Sequence, residues 1–340
     1  RVLWLFFCIQ VVKIAEKLIK SVVCRKKLVL ISKVVLTELR RDIAFILEHG
    51  EARIVLVDKE FGSVTEQALA QMTNAPEVIY IDDADYADGK LLGTEGYEDL
   101  VHQCPLAMGP LQALDASAYL PADEWDAIAL NYTSGTTGNP KGVVYHHRGA
   151  YLNAVSNALT WDMGEHPVYL WTLPMFHCNG WCFPWTLAVN AGTSICLRQV
   201  REEAVYEAIG RFGVTHFCGA PVVLNTLRNA ADELKQLVTK PIKTMTAGAA
   251  PPAAIIQGMQ EQGVDVTHVY GLTETYGPVT LCAWRDDLWG GFDSPTQQKT
   301  IRESVYSYYG ISNNYANMAA IPGSVFPSRL SIKADSSPHM

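Results

Sequence analysis

Tyr132-Thr-Ser-Gly-Thr-Thr-Gly-Asn-Pro-Lys-Gly142 is the stretch that decides the fold of this 340-residue chain. It combines four small hydroxyl side chains and three glycines with one lysine, Lys141. Glycine lets the backbone approach an anion closely, and successive N–H groups in such a loop can form an anion-binding concavity. Because the hydroxyls and the lysine add further donors, the stretch predicts a polyphosphate-binding loop. A surface turn rich in glycine, serine and threonine is the alternative.

This loop differs from the Walker phosphate loop, in which Gly-Lys-Ser/Thr begins a helix. Pro140 precedes the lysine and Gly142 follows it, and both residues disfavour a helix. Alternating side chains in 128–132 and the apolar run 143–145 predict strands on the two sides. The sequence therefore predicts a loop that connects one strand to another.

Downstream of the loop, strand and helix patterns alternate along the chain. The predicted strands cover residues 168–173, 193–197, 214–218, 244–247 and 265–270. The predicted helices cover residues 147–159, 201–209, 221–234 and 252–262. This alternation predicts an α/β fold with mostly parallel sheets covered by helices, in which ligands bind at the carboxyl ends of strands.

Two helices show apolar residues at helical spacing. In the helix predicted for 42–49, which Gly50 ends before a buried strand at 52–58, one face carries Ile43, Ile46 and Leu47. In the helix predicted for 147–159, one face carries Tyr151, Val155, Ala158 and Leu159.

Composition limits the classes of partner and the compartment. A net charge of -8 argues against nucleic acid or an anionic membrane as the main partner. The eight cysteines include no Cys-x-x-Cys pair and predict free buried thiols in a reducing compartment, in preference to disulfides or a metal site. We therefore expect a cytoplasmic protein without membrane association. The alternative is that the basic, apolar stretch 1–31 lies on a membrane surface.

The stretch 132–142 resembles the signature loop of the acyl-adenylate-forming (AMP-binding) enzymes, which include acyl-CoA synthetases, firefly luciferase and nonribosomal peptide adenylation domains. The runs YTSGTTGNPKGVVYHHRGAYLNA (132–154) and WTLPMFHCNGWCFPWTLA (171–188) are most similar to medium-chain and methylmercaptopropionate-type acyl-CoA ligases. The resemblance covers roughly residues 34–284 and implies part of the large N-terminal domain of that fold. It also implies ATP-dependent activation of a carboxylic acid through acyl-AMP to acyl-CoA.

A second motif, Tyr270-Gly-Leu-Thr-Glu-Thr275, ends a predicted strand and brings an aromatic ring, a hydroxyl and a carboxylate together. A carboxylate beside ATP requires a bridging cation, so Glu274 predicts a Mg²⁺ site. Thr273 can donate to a phosphate or carboxylate oxygen, and Tyr270 can stack on a purine. The resemblance implies the same three roles, and the alternative for Glu274 is a surface carboxylate that caps a turn.

The resemblance implies a nucleotide site built from three segments. The residues expected to bind the nucleotide are Thr133, Ser134, Gly135, Thr136, Thr137, Gly138, Lys141, Gly248, Ala249, Ala250, Tyr270, Gly271 and Thr273. The residues expected to be catalytic are Lys141, Thr273, Glu274 and His177, with Glu274 as the metal ligand. The segment 248–250 is expected to lie along the adenine, although it also suits a tight turn between a strand and a helix.

His177 lies in Pro174-Met-Phe-His-Cys-Asn-Gly-Trp181, which resembles the family segment that closes the acyl site. A contact with the substrate carboxylate or with the acyl tunnel is the expected role, and a packed core histidine is the alternative. Trp181 and Trp185 are expected to shape an apolar acyl pocket. General-base work is not expected of His177, because a carboxylic acid is already ionised near neutral pH.

The expected domain organisation has three parts: an atypical N-terminal segment at 1–33, the AMP-binding portion at 34–290, and an unassigned tail at 291–340 that is either disordered or foreign. No Thr-Gly-Asp motif and no small C-terminal domain with its lysine follow, so we expect a fragment. Three hypotheses for the fragment follow: a truncated acyl-CoA synthetase, an inactive nucleotide-binding fragment, or a remnant that does not fold. The expected ligands are a carboxylic acid, ATP, Mg²⁺ and CoA, and the sequence specifies neither the acid nor the oligomeric state.

Overall fold

The computed structural model describes residues 27–31, 40–103, 121–133, 140–249 and 251–282. The predictions for the N-terminal segment up to residue 26, for Ser134, Gly135, Thr136, Thr137 and Gly138, for Ala250 and for the tail lie outside the described residues. The chain divides into two compact units, Arg1–His147 and Arg148–Met340.

The first unit contains a four-stranded parallel sheet and a separate two-stranded antiparallel hairpin. In chain order its elements are β1 (Lys27–Ile31), α1 (Arg40–His49), β2 (Ala52–Asp58), α2 (Gly62–Leu69), β3 (Glu77–Ile81), β4 (Glu95–Gly96), α3 (Tyr97–Gln103), β5 (Ala127–Thr133) and β6 (Lys141–His146). The parallel sheet has the order β1-β2-β3-β4. The pairing of β5 with β6 confirms the strand–loop–strand prediction.

The apolar pattern of α1 and β2 accounts for the core of the first unit. Ile43 and Leu47 of α1 are buried, together with Val55 and Val57 of β2, in one hydrophobic cluster. The predicted strand at 52–58 is confirmed, and its continuous apolar run is buried as expected for a strand covered on both faces.

The second unit begins with a long helix and continues as alternating strands and helices. Its elements are α4 (His147–Thr160), β7 (Val168–Trp171), a left-handed turn (Cys178–Trp181), α5 (Phe183–Val189), β8 (Thr193–Cys196), α6 (Glu202–Phe212), β9 (His216–Cys218), α7 (Pro221–Arg228), α8 (Asp232–Lys235), β10 (Ile242–Thr246), α9 (Ala253–Gln260), β11 (Val264–Leu272) and β12 (Gly277–Leu281). The first residue of α4, His147, belongs to the first unit. The strands form one sheet of order β12-β11-β10-β9-β7-β8, parallel except for β12. The predicted α/β fold with mostly parallel sheets is thereby confirmed.

Helices α6, α7 and α9 cover this sheet through a large apolar cluster. The cluster contains Val205 and Ile209 of α6, Leu224 of α7, Ile256 of α9 and Phe217 of β9, all of them buried. Among the described residues, no helix has both the length and the apolar character needed to cross a bilayer.

Two helix predictions were wrong in detail. The helix predicted for 221–234 is interrupted: α7 ends at Arg228 and α8 begins at Asp232. In α4, Tyr151 and Leu159 of the predicted face are 62% and 72% exposed, whereas Asn153 and Asn157 of another face are buried. The buried face of α4 is polar because its amides donate to backbone carbonyls of two loops, as described below.

Substitution of Leu224 by alanine is expected to lower the free energy of unfolding by about 2–5 kcal/mol, because its fully buried side chain would leave a cavity in the cluster. Val222 lies on the same helix and is 69% exposed, so Val222→Ala is the control and should change the free energy by less than about 0.5 kcal/mol. Urea unfolding followed by circular dichroism measures both, and equal effects of the two substitutions would contradict this packing.

Candidate active site

The hairpin of the first unit fixes the two ends of the predicted phosphate loop. Thr133 and Lys141 are cross-strand partners at the end of the β5–β6 ladder, and Lys141 is exposed. Tyr132, the preceding residue, forms a 2.7 Å hydrogen bond between its hydroxyl and His49 Nδ1. The ladder therefore places one candidate hydroxyl and the candidate cation side by side, where the chain enters and leaves the loop.

In the second unit, strand register brings several strand ends to one edge of the sheet. Leu170 pairs with Phe217, Met245 pairs with Cys218, and β10 is parallel to β11. Because the strands run in the same direction, the segments that follow β7, β9, β10 and β11 all leave from this edge. Thr172 reinforces it by donating from its hydroxyl to the Cys218 carbonyl at 2.6 Å.

Gly248 and Ala249 follow β10 at this edge, and both are exposed. Tyr270, the next candidate, lies near the end of β11, and only 7% of its surface is exposed. Gly271 approaches β12 so closely that a Cβ would lie 1.7 Å from the Gly277 carbonyl oxygen. Adenine contact by these residues stays a prediction, and the structure shows that glycine at position 271 is required for strand packing.

A single 3₁₀ turn, Thr273–Thr275, carries the candidate hydroxyl and carboxylate. The Thr275 hydroxyl oxygen accepts from the Leu272 N–H at 2.8 Å, and its proton is directed to the carbonyls of Leu272 and Gly277, at 3.1 and 2.8 Å. These bonds close the turn on itself and leave the Glu274 side chain exposed. Thr275 therefore fixes the backbone of the turn that carries Glu274.

The segment after His177 is a left-handed turn, and this conformation is rare for residues other than glycine. Cys178, Asn179, Trp181 and Cys182 have φ values of 52°, 44°, 56° and 65°. Left-handed helical geometry costs roughly 1–2 kcal/mol per L-residue, so the surroundings must hold the turn in place. Gly180, at its centre, lies against the Trp171 ring, where a Cβ would come within 2.5 Å.

The left-handed turn contacts the Thr273–Thr275 turn directly. The Cys178 sulfur lies 3.3 Å from the Thr273 hydroxyl oxygen. Nearby, Gly277 has a φ of 104°, and a Cβ there would lie 2.7 Å from the Trp181 Cα. The structure thus brings together two of the sequence-predicted segments, the one after His177 and the one that contains Glu274.

Two titratable side chains at this contact, Cys178 and His177, are neutral at pH 7. Burial raises the pKa of the Cys178 thiol to about 11; the Thr273 hydrogen bond opposes the increase and the Glu274 carboxylate adds to it. His177 is exposed, and partial desolvation of its ring lowers its pKa from the usual value, so the imidazole is neutral at pH 7. A neutral imidazole can donate one hydrogen bond to a carboxylate but supplies no positive charge.

The residues present fit a magnesium ion bound together with phosphates. Mg²⁺ in such sites takes one or two carboxylates and completes its coordination with phosphate oxygens and water. Glu274 offers one exposed carboxylate beside a hydroxyl, and the described residues contain no group of three or more His, Cys, Asp or Glu side chains arranged for a metal. A metal held only by protein side chains would not fit this arrangement.

Sequence reasoning missed three residues that shape the site: Asn153, Asn157 and Cys178. The two asparagines were visible as a polar pair spaced by four positions among small residues of α4. The apolar spacing on another face drew attention away from them. Nothing in the sequence around Cys178 signals its contact with Thr273, because the two residues are 95 positions apart.

Comparison with known proteins identifies the family. A profile described as AMP-binding enzyme matches residues 36–304. The chain belongs to the AMP-binding enzyme family. The chain is 47% identical over 286 residues to an acetate/butyrate–CoA ligase of Arabidopsis thaliana, an alignment that covers 79% of this chain and 48% of that protein. It is also 47% identical over 253 residues to an acetate–CoA ligase of Humulus lupulus, covering 72% and 44% of the two chains.

Solved structures show the same fold. The N-terminal domain of FACL13 from Mycobacterium tuberculosis, with an inhibitor bound, superposes with a TM-score of 0.60 at 25% identity, covering 77% of this chain and 61% of that one. An anthranilate CoA ligase in complex with anthranoyl-AMP gives 0.61 at 24% identity, covering 74% and 46%. This AMP-binding chain spans about half the length of the curated relatives that it matches.

The expected cytoplasmic location is wrong. The acetate/butyrate–CoA ligase of Arabidopsis thaliana and a trans-cinnamate:CoA ligase of Petunia hybrida are both labelled peroxisomal. Composition does not distinguish the two locations, because free cysteines and an acidic charge indicate a reducing interior without specifying the organelle.

In this AMP-binding chain, Glu274→Gln is expected to lower the pKa of Cys178, because it removes a carboxylate that disfavours the thiolate. Alkylation of Cys178 by iodoacetamide near pH 9 should therefore be faster in the variant, as read by mass spectrometry of the peptide. Cys218, buried in β9, is the internal control and should react at an unchanged rate. An unchanged rate at Cys178 would show that the carboxylate does not act on this thiol.

Proposed function

We propose that this chain is the nucleotide-binding part of an acid–thiol ligase that activates a carboxylic acid through acyl-AMP and transfers the acyl group to CoA. The observation that carries the proposal is the packing of the Thr273–Thr275 turn against the segment that follows His177, in a chain of the AMP-binding enzyme family. The relatives named above as CoA ligases support the reaction class.

In the proposed reaction a carboxylate oxygen attacks the α-phosphorus of ATP, and pyrophosphate leaves. The CoA thiol then attacks the acyl carbon of acyl-AMP, and AMP leaves. Such phosphoryl chemistry depends on positioning and on charge neutralisation. Lys141 and Thr133 are proposed to bind phosphate oxygens, and Thr273 and His177 to donate to phosphate or carboxylate oxygens.

Glu274 is proposed to hold Mg²⁺, which supplies positive charge to the phosphates when it is bound. The side chain suits this role because it is an exposed carboxylate on a turn that Thr275 closes. Tyr270, Gly271, Gly248 and Ala249 are proposed to accommodate the nucleoside. The buried position of Tyr270 leaves the stacking on adenine to be tested.

The names of the two relatives that are 47% identical favour a short carboxylic acid of the acetate to butyrate class, and the names of the Arabidopsis and Petunia relatives favour a peroxisomal location. Trp181 is packed within an apolar cluster and Trp185 is half-buried, so both can restrict the volume open to an acyl chain. The preference for acyl chain length can be ranked by offering acids from acetate to octanoate separately and measuring the exchange of pyrophosphate into ATP.

A second candidate is an inactive nucleotide-binding unit, because the match to the AMP-binding family by itself specifies no catalysis. The inactive unit predicts ATP binding by calorimetry and no acyl-AMP by mass spectrometry. The ligase proposal predicts ATP binding and the formation of acyl-AMP.

Glu274→Gln is expected to reduce carboxylate-dependent exchange of pyrophosphate into ATP by roughly 10²–10³-fold, because the variant lacks the charge that holds the metal. Glu203→Gln, which changes an exposed carboxylate on α6, is the control and should retain the parent rate. The assay uses the 340-residue chain and a version extended to the length of the relatives. Equal exchange in both variants and the parent would contradict the assignment of Glu274.

A further inference from the structure

Two buried asparagines of α4 donate to two different loops of the candidate active site. Asn153 Nδ2 lies 3.4 Å from the carbonyl oxygens of Thr275 and Pro278. Asn157 Nδ2 lies 3.0 Å from the Trp181 carbonyl oxygen and 3.4 Å from the Thr186 hydroxyl oxygen. One helix therefore bonds both to the segment that carries Glu274 and to the left-handed turn.

Gly149 lies one helical turn before Asn153 and continues the row formed by Asn153 and Asn157. A Cβ at Gly149 would lie 2.5 Å from the Tyr276 ring, so the ring packs directly on the helix backbone. Residues spaced by four positions lie on one face of a helix, which places Gly149, Asn153 and Asn157 in a row. The row makes its contacts in the order Tyr276, then Thr275 and Pro278, then Trp181.

A buried amide is unfavourable unless it is hydrogen-bonded, and an apolar side chain would fill the same volume without that requirement. Asn157 is only 1% exposed, and its nitrogen has both acceptors described above. The Trp181 carbonyl belongs to the left-handed turn, whose conformation requires support from outside the turn. Thr186 continues the chain of bonds by donating to the Cys182 carbonyl at 3.1 Å.

We propose that Asn157 is a positioning residue of the candidate active site, and that it holds the left-handed turn in the conformation in which Cys178 meets the Thr273 hydroxyl. The importance of Thr273 for the reaction rests on the proposed function. The mechanical link from Asn157 through the turn to the Thr273–Thr275 segment is independent of that function and can be measured separately.

Hydrogen exchange read by mass spectrometry tests the link in the full chain. Asn157→Leu keeps the side-chain volume similar and removes the donor. Amides of residues 178–186 are expected to exchange roughly 5- to 30-fold faster, the range for losing one or two kcal/mol of local stability. The same increase is expected for the amides of 272–277, a segment to which Asn157 itself makes no hydrogen bond. Strands β10 and β11 up to Val269 should keep their protection. The control is Asn225→Leu, the same change at an exposed position of α7, and it should leave all these segments unchanged.

Faster exchange confined to 178–186 overturns the proposal, because the turn would then not support the Thr273 segment. Unchanged exchange in both segments overturns it as well. If Asn157→Leu loses protection throughout the sheet, Thr186→Val decides by the same criteria. This substitution removes only the hydroxyl that links Asn157 to the Cys182 carbonyl. Loss of protection throughout the sheet in both variants also overturns the proposal, because the residues would then serve the fold as a whole.

The assay of pyrophosphate exchange into ATP adds a readout that a purely structural role would not change. In Asn157→Leu, kcat for carboxylate-dependent exchange is expected to fall about 10-fold while KM for ATP stays within about twofold, since a misplaced hydroxyl weakens the transition state more than nucleotide binding. Parallel changes in kcat and KM, or none, contradict the positioning role. If neither the parent chain nor its extended version exchanges pyrophosphate into ATP, the proposed function is refuted. Amide hydrogen exchange still decides whether Asn157 supports the Thr273–Thr275 segment.

Discussion

The contact between Cys178 and Thr273 depends on a backbone conformation that L-residues avoid. Five consecutive residues, from Cys178 to Cys182, have positive φ values, and only one of them is glycine. At roughly 1–2 kcal/mol per residue, this geometry would not persist in an isolated peptide. Trp171 packs on the one glycine, Asn157 holds the Trp181 carbonyl, and Gly277 lets the neighbouring strand approach the turn. The site is thus held in place by packing around the turn more than by its own residues.

The parallel sheet supplies the other half of the arrangement. Its register brings the segments after β7, β10 and β11 to one edge, where the backbone has left the ladder and side chains can serve a ligand. Among these segments the Thr273–Thr275 turn is fixed by the hydrogen bonds of the Thr275 hydroxyl. A carboxylate on a closed turn loses little conformational entropy when it binds a cation, because the backbone beneath it is already ordered.

Sequence periodicity predicted the elements well and the contacts poorly. The strand at 52–58 and the two strands that flank the predicted phosphate loop were predictable, because apolar runs and alternation report burial directly. The buried face of α4 was not, because its asparagines bond to distant carbonyls and such partners leave no local pattern. The left-handed turn was equally hidden, since only Asn179 and Gly180 in it are of types that suggest positive φ. Resemblance to a family located the segments 174–181 and 270–275, but only coordinates show that Cys178 touches Thr273.

The charges around this contact suit the binding of a divalent cation. Cys178 keeps its proton because burial raises its pKa to about 11, and His177 is neutral at pH 7 because partial desolvation lowers its pKa. An imidazolium or an ammonium in their place would attract the Glu274 carboxylate and compete with a metal for it. A thiolate would add negative charge that a nucleotide must overcome. The thiol and the neutral imidazole do neither, so the carboxylate charge stays available to the cation that is proposed to bind there.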